Sequence, residues 1–248
     1  MTKAEILLKA QSGETEAILQ LIECLAEERN WTEAIDWADK AADTYDPNGL
    51  YKAAVLHHLR LSSLIQGNAP MHHLMEEDAQ AVQKYTDVLL AAGQAGLIEL
   101  PTENTASLLK LRADACYDEA LVCHVKENPD EDRVLNLLRE AEGTKEMILF
   151  GLACYHTQLE ERAREVLEKA YRDSAYAAAD KAPAEQYIYA EAALTLAGLL
   201  RLNGQQMDQA VAVLNQGIRG VTGGQMKEAL QIELAHYQKK LFGGWKYI

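Results

Sequence analysis

Two histidine pairs, His57-His58 and His72-His73, are the residues whose type first invites chemistry, because imidazole is a common ligand for transition metals. Neighbours at i and i+1 diverge on a helix, however, and no Asp, Glu or Cys stands at a recurrent ligand spacing with either pair. They read as partly exposed or core histidines, and neither a metal site nor a cofactor is expected. Carboxylates gather in three runs, Glu76-Glu77-Asp78, Asp130-Glu131-Asp132 and Glu160-Glu161, each near an expected helix start. Negative charge there favours the helix dipole, so the runs read as solvated caps. Arg112, Arg133, Arg139, Arg162, Arg164 and Arg172 all have acids close in sequence, which points to pairing along helix faces rather than to a basic stripe. Cys24, Cys116, Cys123 and Cys154 show no CxxC spacing and fall on apolar helix faces, as buried thiols do. Cys116 and Cys123 lie two turns apart on one helix, too far to bridge. GxSxG, HExxH, a phosphate-binding glycine loop and GxGxxG are all missing from the sequence, so no catalytic residue is expected.

The elements that carry these residues are helices. The chain has 248 residues, 48% of them hydrophobic and 25% charged, enough for a full core. An aromatic share of 6%, five prolines and a wealth of Ala, Leu, Glu and Gln suit helix interiors rather than strands, and no strand is expected. The net charge of −14 argues against general affinity for nucleic acid or anionic membranes, both of which need clustered Lys and Arg. The opening Met1-Thr2-Lys3-Ala4-Glu5 lacks the apolar region of a signal peptide, and no run approaches the roughly 20 apolar residues of a membrane span. A cytoplasmic location is the resulting expectation.

The organising pattern is clearest in residues 144–171, which read as two antiparallel helices. Met147, Phe150, Gly151 and Cys154 share one face of the first, and Ala163, Leu167 and Ala170 share one face of the second. Where the two helices cross, Gly151 and Ala163 let the backbones come close; they are twelve positions apart (163 − 151 = 12), and the same interval, and so the same seam, is expected at Ile22 and Ala34 and at Gly198 and Ala210. One hairpin thus recurs at 15–46, 144–171 and 187–218, and after Tyr171 the helix is expected to run on through AYAAAD. A helix over 225–241 with a polar outer face is expected to cap the array, followed by an aromatic tail at 242–248. The whole chain is read as one helical-repeat domain.

The stretch TEAILQLIECLAEERNWTEAIDWADKAADTYDP resembles a tetratricopeptide repeat or its Sel1-like relative, and EAIDWADKAAD resembles the second helix of a Sel1-like repeat. The family's small or apolar positions fall on Ile18, Leu21, Ile22, Leu25, Ala34, Ala38 and Ala41, with Pro47 one place later than the usual proline. In the last hairpin they fall on Leu194, Ala197, Gly198, Ala210, Leu214 and Gly217, with Arg201 where a large apolar residue is normal. The resemblance covers about half the chain, and it is the recurrence that carries weight. It implies an all-α fold, a right-handed α-solenoid of antiparallel hairpins whose first helices line a concave groove.

Carried over onto this sequence, the groove positions are Glu16, Leu19, Glu23 and Glu27, then Lys145, Ile148, Leu152, Tyr155 and His156, then Thr195, Leu199 and Asn203. The function implied is a non-catalytic scaffold that binds a protein or peptide, and the acidic charge implies a basic one. The alternatives are an intracellular peptide or small-molecule sensor acting on a regulatory partner and, least favoured, an enzyme on a helical-repeat scaffold. Trp245 and Tyr247, beyond Gly243-Gly244, are expected to anchor the tail in an apolar groove. Packing on the chain's own last helices competes there with a homo-oligomer formed through the tail.

Overall fold

The computed structural model describes residues 2–67, 69–100, 102–202, 206–240 and 243–248. Among them are thirteen helices and a single pair of three-residue strands, so the fold is all-helical in class. The chain divides into two compact units, Met1–Val122 and Cys123–Ile248. Among the described residues no helix is long and apolar enough to cross a membrane.

The first unit holds α1 (Lys3–Gln11), α2 (Thr15–Glu27), α3 (Trp31–Ala42), α4 (Pro47–Gln66), α5 (His72–Gln94) and most of α6 (Thr102–Val125). Local chemistry sets the helix starts. Thr2 and Glu5 form a reciprocal capping box on α1. Asp46 accepts from the Gly49 N–H at 2.8 Å, with Pro47 at the first helical position of α4, as the Asp-Pro pair implies. On α2, Ile18, Leu21, Ile22 and Leu25 are buried, and they meet Ala34, Ala38 and Ala41 of α3, all with no exposed surface. Each of α1 to α4 packs on the next helix in sequence.

The second unit holds the end of α6, then α7 (Glu131–Leu138), α8 (Thr144–His156), α9 (Glu160–Ala170), α10 (Ser174–Ala178), α11 (Pro183–Leu202), α12 (Met207–Arg219) and α13 (Gln225–Ala235). The α2–α3 and α8–α9 hairpins share a turn. Arg29 and Gln158 both take left-handed φ values, 59° and 65°, and each lies five residues before the seam alanine of its second helix. In both turns the next N–H reaches back five residues, Asn30 to the Leu25 carbonyl at 2.9 Å and Leu159 to that of Cys154 at 2.8 Å. That is the closure of a Schellman-type helix end, here without glycine. The corresponding turn between α11 and α12 lies outside the described residues.

At three places the structure departs from the sequence reading. The chain after Tyr171 does not continue its helix, because Asp173 accepts from the N–H groups of Ala175 and Tyr176, both at 3.1 Å, and starts α10 afresh. The expected capping helix over 225–241 stops at Ala235, and Tyr237–Lys239 (β1) pairs antiparallel with Trp245–Tyr247 (β2). Before β2, Gly243 and Gly244 take φ of 91° and 73°, values that glycine adopts at no steric cost. The expectation of no strand is corrected here: Tyr237-Gln238-Lys239 and Trp245-Lys246-Tyr247 pair as a hairpin, but three-residue strands are too short to show a period.

The third departure is the seam of the α11–α12 hairpin. A Cβ on Gly151 would lie 2.6 Å from Leu167 Cδ2, so α8 and α9 do need a bare backbone at that crossing. At Gly198, by contrast, nothing among the described residues lies within 4 Å of where a Cβ would be. The close approach in that hairpin is at Gly217, whose Cβ would meet Ala193 Cβ at 2.7 Å. Two substitutions test this assignment by urea denaturation. Gly198→Ala is expected to stabilise by about 0.5–1 kcal/mol through helix propensity, and Gly217→Ala to destabilise by about 1–3 kcal/mol through overpacking.

Candidate functional site

In the first unit the positions expected to face a partner lie along α2. Glu16, Glu23 and Glu27 are exposed, and Leu19 is half-buried against the core. Glu23 pairs with Lys52 of α4 at 2.7 Å, an exposed contact of small energetic weight.

In the second unit the expected positions divide by burial. Ile148, Leu152 and Leu199 are buried and serve packing, Lys145 and Thr195 are half-buried, and Tyr155 and His156 are exposed. Asn203 lies outside the described residues. Because α8 packs on α11, Tyr155, Thr195 and Leu199 come together as walls of one cavity of about 320 Å³, to which Glu160 and Arg201 add opposite charges. The Arg201 guanidinium lies 4.2 Å from the ring centre of Tyr247, a cation over an aromatic face. Tyr247 also meets Tyr237 edge-on at 5.2 Å, and its hydroxyl donates to Glu233 at 3.3 Å. The tail is thus held by strand pairing and aromatic contacts, with Trp245 half-buried.

Beside this cavity lies a cluster that the sequence reading did not assemble. Helix α6 ends at Val125, and the Asp130 N–H returns to the Cys123 carbonyl at 3.0 Å. Asp130 then caps α7, which sets Glu131 in its first turn against the imidazole of His124. His124 Nδ1 lies 2.9 Å from Glu131, and its Nε2 faces one oxygen of Glu191 on α11 at 3.6 Å. His156 Nε2 meets the other oxygen of Glu191 at 3.2 Å. Burial opposes charge on His124, but hydrogen bonds and charge from Glu131 and Glu191 outweigh it and raise its pKa to about 9. Burial likewise opposes charge on Glu191, yet the two histidines hold it below the usual carboxylate range. Glu131 is therefore more than the solvated cap its position suggested.

A second network ties three helices of the first unit together. Asp78, with no exposed surface, takes a two-pronged contact from Arg60, Nε at 2.8 Å and Nη2 at 2.5 Å, and faces His57 Nδ1 at 2.6 Å. His57 Nε2 lies 3.0 Å from Asp39, and the Tyr85 hydroxyl donates to the same Asp39 oxygen at 2.8 Å. Reading Asp78 as a solvated cap is corrected: α5 begins at His72 rather than Glu76, which carries Asp78 past the first turn and into the interior. Burial disfavours the His57 imidazolium, but hydrogen bonds and charge from Asp39 and Asp78 outweigh it and raise its pKa.

Two measurements follow from this network. Asp78→Ala leaves Arg60 and His57 facing a void, and a loss of about 3 kcal/mol in urea denaturation is expected, at the low end for buried pairs because Arg60 is partly exposed. The His57 contribution has a definite sign. Its folded pKa is raised, so the stabilisation is complete below the unfolded value of about 6.5 and is lost as pH rises through the folded value. The stability gap between the wild type and His57→Gln should therefore narrow as pH rises above neutral.

Compared with family models and with curated proteins, the sequence matches none.

Proposed function

We propose that the chain is a right-handed α-solenoid of tetratricopeptide or Sel1-like hairpins, and that it acts as a non-catalytic scaffold for a basic protein or peptide segment. One observation carries this reading. The second helices spend their small residues on the seam, as Ala34, Ala38, Ala41 and Ala163 do, while first helices leave Glu16, Glu23 and Glu27 on α2 and Tyr155 and His156 on α8 facing outward. In a stacked-hairpin protein the first-helix positions not used for packing are those a partner can touch. Carboxylates at 16, 23 and 27 share one helix face and suit lysine and arginine side chains. In the second unit Tyr155 offers an aromatic edge beside a cavity of about 320 Å³, close to the lower limit for a bound side chain or small ligand.

Fluorescence anisotropy with a labelled Lys/Arg-rich peptide set and an Asp/Glu-rich set tests the reading. Binding is expected for basic peptides only, weakening as salt rises. The triple substitution Glu16→Lys, Glu23→Lys, Glu27→Lys should weaken it by about tenfold or more, the equivalent of about 1.4 kcal/mol. Tight binding of acidic peptides, or affinity indifferent to salt, would overturn the proposal.

A further inference from the structure

The geometry points to a zinc-type divalent metal site in the second unit, with His124, His156 and Glu191 as ligands and Glu131 as the residue that orients His124. One donor atom from each of the three ligands lies within 4.8 Å of the others. The two Nε2 atoms converge on opposite oxygens of the Glu191 carboxylate, at 3.6 Å and 3.2 Å. Two ligands held about 2.0–2.1 Å from zinc at a tetrahedral angle are about 3.3 Å apart, so donors that already lie within 4.8 Å of one another need only a small turn of the carboxylate or of His156 to surround one ion.

The support around the ligands has the form that a bound metal needs. Glu131 faces His124 Nδ1 at 2.9 Å, which holds the ring with Nε2 toward the centre of the cluster, where a bound ion would take the place of the Nε2 proton. His124 and Glu191 are largely buried and fixed by α6 and α11, whereas the His156 side chain is 39% exposed. That exposed side lets a cation enter from solvent, and the exposed imidazole can turn to close the set. Two imidazoles and one carboxylate select a first-row divalent ion such as zinc or cobalt over magnesium or calcium, which prefer all-oxygen ligands. Three protein ligands leave a fourth position for water or an incoming donor, the arrangement of an open rather than a closed zinc site. The two carboxylates, Glu191 as ligand and Glu131 behind His124, balance the charge of a dication in a half-buried place.

The site shares His156 with the peptide-binding reading, but it is tested with metal alone and stands or falls without that reading. The test is calorimetric titration of tag-free full-length protein with zinc chloride, paired with the absorption spectrum of the cobalt-loaded protein. One equivalent should bind, and the cobalt spectrum should show tetrahedral d–d bands without thiolate charge-transfer bands, which separates this site from the four cysteines. Affinity should fall by about a hundredfold or more in Glu191→Gln and His156→Ala and by about 10–100-fold in Glu131→Gln. It should be unchanged in His73→Ala, which alters an exposed histidine elsewhere. His156 is exposed, so its variant is expected to keep the wild-type circular dichroism with at most a small fall in melting temperature from the lost Glu191 contact, and a hundredfold loss of binding there reports on the metal. No saturable binding, binding undiminished in both Glu191→Gln and His156→Ala, or a thiolate signature would overturn the site.

Discussion

Helix backbones in this protein come together over faces made of alanine and glycine, and the rest of the structure depends on that close approach. Ala34, Ala38 and Ala41 have no exposed surface, and a Cβ added at Gly49 would lie 2.8 Å from the Ala41 backbone. Such faces bury little apolar area per residue, so stability has to come from fit: many short contacts between well-placed atoms rather than a few large side chains. Large residues pack against these small faces, as Leu21 and Leu25 do in the first unit and Leu167 does opposite Gly151 in the second. A bare seam also brings carbonyls and polar side chains of neighbouring helices within reach of one another. This is how single residues such as Asp39 and Glu191 come to bridge several elements.

The two polar networks show what burial does to charge in such a fold. Asp78 is enclosed completely and is tolerated because Arg60 and His57 satisfy its oxygens. Glu191 holds two imidazoles apart on its two oxygens, one enclosed and one in contact with solvent. The first arrangement has every prong satisfied from within the unit and resembles a structural tie. The second keeps a solvent-facing member, which is why it has scope for an added ligand.

What could be read from the sequence was local. The inward faces of α2 and α3 follow from i, i+3, i+4 spacing, and the start of α4 follows from Asp46-Pro47, because each is decided within one or two turns of chain. The seam of the α11–α12 hairpin was misplaced because Gly198 and Gly217 are equally bare in sequence, and only packing shows that Ala193 presses on the second. The His124–Glu191 pair spans 67 residues (191 − 124 = 67), and nothing short-range marks Glu191 as its partner. Only the nearer half, His124 and Glu131 across a capped helix end, left a trace that could have been followed. Asp78 was misjudged through a four-residue error in where α5 begins, enough to exchange a solvated first turn for the interior.

One oxygen of Asp39 receives both His57 and Tyr85, so α3, α4 and α5 are tied at a single atom. Detaching any one of these helices strands a partly buried charge or hydroxyl on the others, which makes separate fraying unfavourable. Slow amide hydrogen exchange in the three helices is then governed by one shared opening event rather than three, and they form a single cooperative unit within the first half of the chain. Such a tie concentrates cooperativity in these three helices, where helix-on-helix packing alone would spread it evenly.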